Sequence, residues 1–262
     1  MKYFDTHAHY QDERFSEECA GGARALLDKL FSENVSYIVN VATSPDSARE
    51  VIEQARNYPN MYTAIGIHPS DATYLDMDVQ QAVGIIRELA KNPESKCVAI
   101  GEIGLDYHYP DTNKTLQHEY FEAQLSLARE LDLPVIIHDR DAHQDTLDIL
   151  KRYPDVRGVL HSYSGSAEMA RELIALGYMI SFSGVLTFTN AKKAREVAAS
   201  IPPERIMIET DCPYLSPHPH RGELNHSGRL EFTNRTLAEI LGLTEERAAV
   251  LTEENARRFF GI

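Results

Sequence analysis

Tyr3-Phe4-Asp5-Thr6-His7-Ala8-His9 reads as one short buried strand carrying two imidazoles a single residue apart. Side chains at i and i+2 of a strand share a face, so His7 and His9 can grip one metal ion from one direction. Other ligand-type residues stand near the ends of later strand-like runs. Glu102 lies in Val98-Ala99-Ile100-Gly101-Glu102-Ile103-Gly104, His138 in Pro134-Val135-Ile136-Ile137-His138, and His161 in Gly158-Val159-Leu160-His161. Asp211 ends Ile206-Met207-Ile208-Glu209-Thr210-Asp211. Nitrogen and oxygen donors spread over five strands point to a metallohydrolase centre built by a barrel.

Outward from these runs, strand-like and helix-like segments alternate. The strand candidates are residues 3–9, 36–42, 62–68, 97–103, 133–138, 158–162, 178–182 and 205–210, short and rich in Val and Ile as buried parallel strands are. Helical patterns fill the intervals at 23–31, 47–57, 79–91, 114–131, 142–153, 167–176 and 191–199, and two more follow at 231–241 and 245–260. Asp78 with Gln81 three residues later marks a capping box, and Gly177 marks a helix end. Eight β-α alternations without linker or repeat predict one domain over residues 1–262, of the α/β class. The architecture expected is a (β/α)8 TIM barrel with its metal site at the C-terminal ends of the strands. A doubly wound open sheet is the main alternative. No Gly-x-Gly-x-x-Gly or P-loop follows the first strand to favour it.

Composition agrees with this class. The 262 residues match the length of a single barrel, and 43% hydrophobic with 25% charged residues is ordinary for a globular protein. No apolar run approaches the ~18 residues of a membrane span, and no apolar signal core opens the chain. Cys19, Cys97 and Cys212 are widely spaced and form no Cys-x-x-Cys pair. Together these features predict a cytoplasmic protein without a membrane partner. The net charge of −14 argues against a broad basic face for nucleic acid. It leaves room for a local cationic site, because two divalent ions reverse the field in a pocket.

Six protein ligands, His7, His9, Glu102, His138, His161 and Asp211, exceed what one tetrahedral ion needs. They suit two divalent ions sharing one carboxylate, with Glu102 as the bridge. Imidazole with carboxylate suits Zn, Mn, Fe or Ni, and Mg where oxygen dominates. Asp211 and Glu102 are the catalytic candidates. Asp211 could also take the proton of the attacking water. No lysine at that strand end offers a modified-lysine bridge.

Seven motifs together resemble the TatD-type metal-dependent deoxyribonuclease family of amidohydrolase-like barrels. They are Asp5-Thr6-His7-Ala8-His9, Gly66-Ile67-His68-Pro69, Gly101-Glu102-Ile103-Gly104-Leu105-Asp106-Tyr107, Leu133-Pro134-Val135-Ile136-Ile137-His138, His161-Ser162-Tyr163-Ser164-Gly165, Glu209-Thr210-Asp211-Cys212-Pro213-Tyr214-Leu215 and Pro219-His220-Arg221-Gly222. The resemblance implies a (β/α)8 fold, two divalent metals and phosphodiester hydrolysis. It also implies the six ligands above and 3′-to-5′ exonucleolytic action on single-stranded DNA. Two departures stand out. Ser162-Tyr163 replaces a frequent Cys-Phe, and Asn225 is followed by His226-Ser227 where the family often has Glu-Pro. The second bears on substrate contacts, not on metal binding.

Further substrate-binding candidates are His68, Tyr107, His108, Arg140 and Arg221. Asp5 and Glu209 share strand parity with His7 and Asp211, which places them behind the ligands as orienting groups. His218, His220 and His226 are too loosely spaced for a metal set and read as solvated or packing residues. The substrates expected are DNA ends, with another ester, such as an aminoacyl-tRNA or a small phosphoester, as the alternative for the same centre. A non-catalytic metal-binding protein is the third reading, and the complete donor set weighs against it. Oligomeric state has no signature in the sequence.

Overall fold

Eight short runs rich in Val, Ile and Met form parallel strands in the computed structural model, which describes residues 1–262. They are β1 (Tyr3–Ala8), β2 (Val35–Val41), β3 (Met61–Ala64), β4 (Cys97–Asp106), β5 (Val135–Arg140), β6 (Gly158–Leu160), β7 (Met179–Phe182) and β8 (Ile206–Ile208). They pair in chain order from β1 to β8. The ladder of β8 stops at Ile208, yet the chain runs on beside β1. There Asp211 N–H donates to the His7 carbonyl at 2.9 Å, and His9 N–H donates to the Cys212 carbonyl at 2.8 Å. These two bonds bring the sheet round to its start as a (β/α)8 TIM barrel.

Helices α1 (Arg14–Glu18) and α2 (Gly22–Glu33) follow β1. Single helices follow the next strands: α3 (Pro45–Arg56), α4 (Val79–Lys91), α5 (Lys114–Leu131), α6 (His143–Leu150), α7 (Ala167–Ala175) and α8 (Lys192–Ser200). The pair α9 (Leu230–Leu241) and α10 (Glu245–Phe260) ends the chain. The starts have local causes. Ser44 and Ser47 form a reciprocal capping box at α3, as Asp78 and Gln81 do at α4. Each such cap is worth about 1 kcal/mol. Gly177 takes φ 95° just past α7, the left-handed conformation that ends a helix without a Cβ clash.

Alternation along the strands separates two layers. Phe4, Val39, Ala64, Ile136, Val159, Met179 and Met207 form a buried cluster with Phe259 and Phe260 of α10. A larger cluster, including Ile100, Phe121, Leu125, Ile137 and Leu173, packs strands against helices. Burying one such side chain fully is worth roughly 1.5–3 kcal/mol.

Three strands end earlier than their sequence pattern predicts. The run expected over 62–68 leaves the ladder at Ala64, the run over 158–162 at Leu160 and the run over 205–210 at Ile208. After Ala64 the apolar pattern continues through Ile65 and Ile67 although the chain has left the ladder. Gly66 allows this, because a Cβ there would lie 2.8 Å from the Gly101 carbonyl carbon. No helix is long and apolar enough to cross a membrane.

Candidate metal centre

Period-two alternation carries each candidate from the apolar plug to the mouth. Ile136 precedes His138 by two residues, Val159 precedes His161, and Met207 precedes Glu209. The strand that buries one therefore aims the other at the C-terminal opening. Gly104 lets β4 press against β5, since a Cβ at its φ of 143° would meet the His138 carbonyl oxygen at 2.0 Å. Asp211 itself takes φ 57°. This is the left-handed region, which short polar residues tolerate and functional sites often use.

The six candidate ligands converge. His7 Nε2 and His9 Nε2 lie 3.0 Å apart. Asp211 Oδ1 is 3.6 Å from the first and 3.3 Å from the second. On the other side, His138 Nδ1 and His161 Nε2 lie 3.2 Å apart. Glu102 stands between the two sets. Its Oε1 is 2.8 Å from His138 Nδ1 and 2.7 Å from His161 Nε2. Its Oε2 is 3.3 Å from His7 Nε2 and 3.8 Å from His9 Nε2. Three donor groups are compact enough to hold an ion: His7 with His9 and Asp211, His7 with Glu102 and His161, and His68 with Glu102 and His138.

The outward faces of the rings test whether a cation fits. His9 Nδ1 bonds the Val41 carbonyl at 2.8 Å, and His161 Nδ1 bonds Glu209 Oε1 at 3.2 Å. His138 Nε2 bonds Asp106 Oδ2, also at 3.2 Å. Each oxygen accepts the ring's outer N–H and leaves the inner nitrogen as the one that can bind an ion, the usual support of metal-ligating imidazoles. His7 is the exception, with its Nδ1 buried and without a partner. The donor set fits a divalent cation bound by nitrogen and carboxylate oxygen.

Glu209 thus occupies the orienting place its parity predicts, and it also accepts the Ser162 N–H at 2.6 Å. Asp5 meets a candidate ligand only through the backbone, its Oδ1 accepting the His7 N–H at 3.3 Å. The β1–β2 register shifts between Asp5 and Ala8, so parity does not carry its carboxylate to a ring. That carboxylate also takes the Thr210 N–H at 3.0 Å, the Thr210 hydroxyl at 2.6 Å and the Ser227 hydroxyl at 2.7 Å. It locks the barrel seam. Asp106 is the orienting residue that the sequence reading lacks, although it shares parity with Glu102. Buried Gln117 of α5 holds it, accepting the Asp106 N–H at 2.9 Å while its amide reaches the Asp106 and Pro69 carbonyls.

Charge in the cluster is strongly coupled. Burial pushes the Glu102 carboxyl up, but the surrounding imidazoles, His161 foremost, hold it well below the usual carboxylate range. Burial pulls His161 down, and Glu102 and Glu209 more than reverse this, raising it well above an ordinary imidazole. His138 and His9 are raised against burial by their carboxylate partners. Burial first, then the neighbouring His138, lowers His68 to about 3.

A cavity of about 850 Å³ opens over the cluster. His68 and Arg140 line it. Tyr107, His108 and Arg221, the other substrate-binding candidates, do not. The Tyr107 hydroxyl donates to Asp145 Oδ2 at 2.7 Å and contacts His118 at 2.6 Å. His108 pairs with Asp141, and Arg221 stacks over Phe188 at 4.2 Å. Their loops turn these side chains onto neighbours outside the cavity. Lys193, Tyr109 and Tyr214 line it instead. Lys193 comes from α8, whose sequence carries no pattern marking it for a site. His220 pairs with Glu223, which also binds Arg229, and none of His218, His220 and His226 joins a donor group.

A family model described as TatD related DNase matches residues 4–261. The chain belongs to the TatD family. A metal-dependent hydrolase of Bacillus subtilis, YabD, is 41% identical over 261 residues, covering 99% of both chains. YcfH of Escherichia coli, also a metal-dependent hydrolase, is 35% identical over 264 residues, covering 100% of this chain and 97% of its own. The crystal structure of the TatD homologue YjjV from Escherichia coli superposes with a TM-score of 0.90 at 29% identity, covering 99% of this chain and 98% of that one. The TatD-family membership makes this chain a metal-dependent hydrolase, with groups at the barrel mouth that could bind the metal.

Proposed function

We propose that this TatD-family chain hydrolyses phosphodiester bonds of DNA with two divalent cations, removing nucleotides from the 3′ ends of single strands. One observation carries the two-cation part: the carboxylate oxygens of Glu102 divide between two nitrogen sets, Oε1 toward His138 and His161, Oε2 toward His7 and His9. His7, His9 and Asp211 would hold one ion, His138 and His161 the other, with Glu102 shared. When bound, such a pair supplies a nucleophilic hydroxide near neutral pH and stabilises charge on the phosphate oxygens.

The remaining work falls to side chains of this protein. The Asp211 carboxylate, which lines the cavity, accepts the proton of the attacking water. His68 stands 3.8 Å from Glu102 through Nε2, and its Nδ1 accepts the Ser70 N–H at 3.1 Å. A neutral ring so held carries its proton on Nε2. It donates to a phosphate oxygen instead of ligating an ion, although it groups with Glu102 and His138 by distance. Arg140 and Lys193 offer positive charge to neighbouring phosphates in an otherwise acidic chain. The deoxyribonuclease, single-strand and 3′-end parts follow the family's name and resemblance, and the recessed floor favours a strand terminus over the middle of a stiff duplex.

The test uses protein reconstituted in turn with Mg, Mn, Zn, Ni and Fe. Linear and circular single strands labelled at one end are offered over a salt series, with RNA and aminoacyl-tRNA alongside. Stepwise shortening of linear strands, resistance of circles and a shallow salt slope are expected, because few phosphates are neutralised outside the cavity. Equal cutting of circles would remove end recognition. Hydrolysis of aminoacyl-tRNA alone would replace this reading with the other ester.

A further inference from the structure

We propose that Tyr109 and Tyr214 are stacking platforms for nucleobases on opposite sides of the mouth, so that a single strand lies across it with the scissile phosphate between two bases. This rests on the phosphodiesterase reading of the centre.

The chain exposes few large apolar side chains: Met1, Tyr74, Tyr109, Tyr214, Leu243 and Val250. Of these six, only Tyr109, 55% exposed, and Tyr214, 48% exposed, line the cavity over the candidate ligands. Leaving two aromatic rings wet beside a polar centre costs hydrophobic free energy that a flat ligand face recovers.

Topology sets them apart. Tyr109 follows β4, and Tyr214 follows the extension of β8. In a ring of eight strands these positions are four strands apart in either direction, half the circumference. His9, Glu102, His138, His161 and Asp211 line the same cavity as the two rings. A nucleic-acid strand spanning the two rings would cross the mouth that Glu102 and Asp211 line.

Both rings are held ready. The Tyr214 hydroxyl donates to Asp12 Oδ2 at 2.7 Å, and its backbone N–H donates to the Asp211 carbonyl at 2.9 Å. Its position is therefore tied directly to the candidate base. Tyr109 packs edge-on against His108, with centroids 5.3 Å apart at 82°. A guanidinium accompanies each ring, Arg140 at 5.8 Å from the Tyr109 centroid and Arg14 at 5.9 Å from that of Tyr214. Arg140 also lines the cavity, within reach of a phosphate next to a stacked base. Aromatic faces alternating with cations describe how single-stranded nucleic acid is held without reading its sequence. Duplex bases are already stacked on one another and cannot use the platforms.

The test is a cycle between side chain and base. Cation-loaded protein is given a short labelled oligothymidylate, intact or with one abasic residue on either side of the terminal diester. Wild type should lose about 5- to 150-fold in kcat/KM for each abasic residue, the range expected of a single base–aromatic stack. Tyr109→Ala and Tyr214→Ala should lose about as much on the intact strand, mainly through KM. Each should then be insensitive to the abasic residue at its own position. Tyr109→Phe and Tyr214→Phe should keep wild-type behaviour, since the ring remains. Binding of a hydrolysis-resistant phosphorothioate decathymidylate, read by fluorescence anisotropy, should follow the same order. Cleavage with an unchanged abasic penalty in both alanine variants would overturn the platforms and leave the phosphodiesterase reading intact. Binding that depends on both rings, with no cleavage of any strand, would support the platforms and overturn that reading. Equal binding by wild type and both alanine variants, or none by wild type, would overturn the platforms.

Discussion

The backbone N–H of Ser70 donates to Nδ1 of His68 at 3.1 Å, and that bond decides what His68 can do at the centre. With Nδ1 used as acceptor and the ring neutral, Nε2 presents a hydrogen. His68→Ala should therefore retain the full complement of bound cations while turnover falls about 10²–10³-fold, the usual cost of one oxyanion donor. Metal analysis beside single-turnover kinetics checks this. Loss of one cation equivalent on substitution would make His68 a ligand instead.

Asp211→Asn keeps the shape of the side chain but cannot take a proton from water, and its amide is the weaker ligand. Activity should fall by about 10²–10⁴-fold while the fold, followed by circular dichroism, survives. Near-normal turnover in the metal-loaded variant would remove Asp211 from the reaction.

Glu209 has one oxygen between the His161 ring and the Ser162 N–H. Glu209→Ala should weaken cation binding by about 10- to 100-fold, the typical cost of losing an orienting partner. Glu209→Gln should recover part of the loss, because an amide oxygen still accepts both bonds. Equal affinity in all three proteins would show that packing alone orients His161.

Cation uptake should release protons. In the cation-free protein, His161, His138 and His9 are raised above the ordinary imidazole value, which is 6.5. Raised groups keep their protons to higher pH, and those protons occupy nitrogens that an ion needs. Affinity should climb as pH rises through and above 6.5, then level off once the rings are neutral, and it should fall steadily on acidification. Calorimetric titration at pH 7 in two buffers of different ionisation enthalpy reads the protons directly. Heats that do not depend on the buffer would contradict the coupling.

Much of this molecule was legible from residue order. The helices at Val79–Lys91, Lys114–Leu131 and Glu245–Phe260 match their sequence bounds, because strong apolar periodicity and, at the first, a capping box agree there. The convergence of the six candidate ligands was legible because barrel strands deliver alternate residues to one mouth. What escaped was of three kinds. The five-residue helix Arg14–Glu18 is too short for a period to register. Loop side chains were placed by neighbourhood alone, and neighbourhood does not predict orientation. Tyr107 turns to Asp145 while Tyr109, two residues on, faces the cavity. Buried Gln117 and Gln124, one face of α5, carry no mark in the sequence of the loops they brace.

The seam between β1 and the end of β8 has a consequence for how the protein is made. Asp5 holds Thr210 across 205 positions of chain, and the neighbours of both are candidate ligands. A ribosome releases the His7–His9 pair early and Asp211 late. The nascent polypeptide carries two imidazoles with no carboxylate opposite them, and Glu102 alone cannot complete the set. Ion capture at full strength belongs to the finished translation product, after its first and last strands have met.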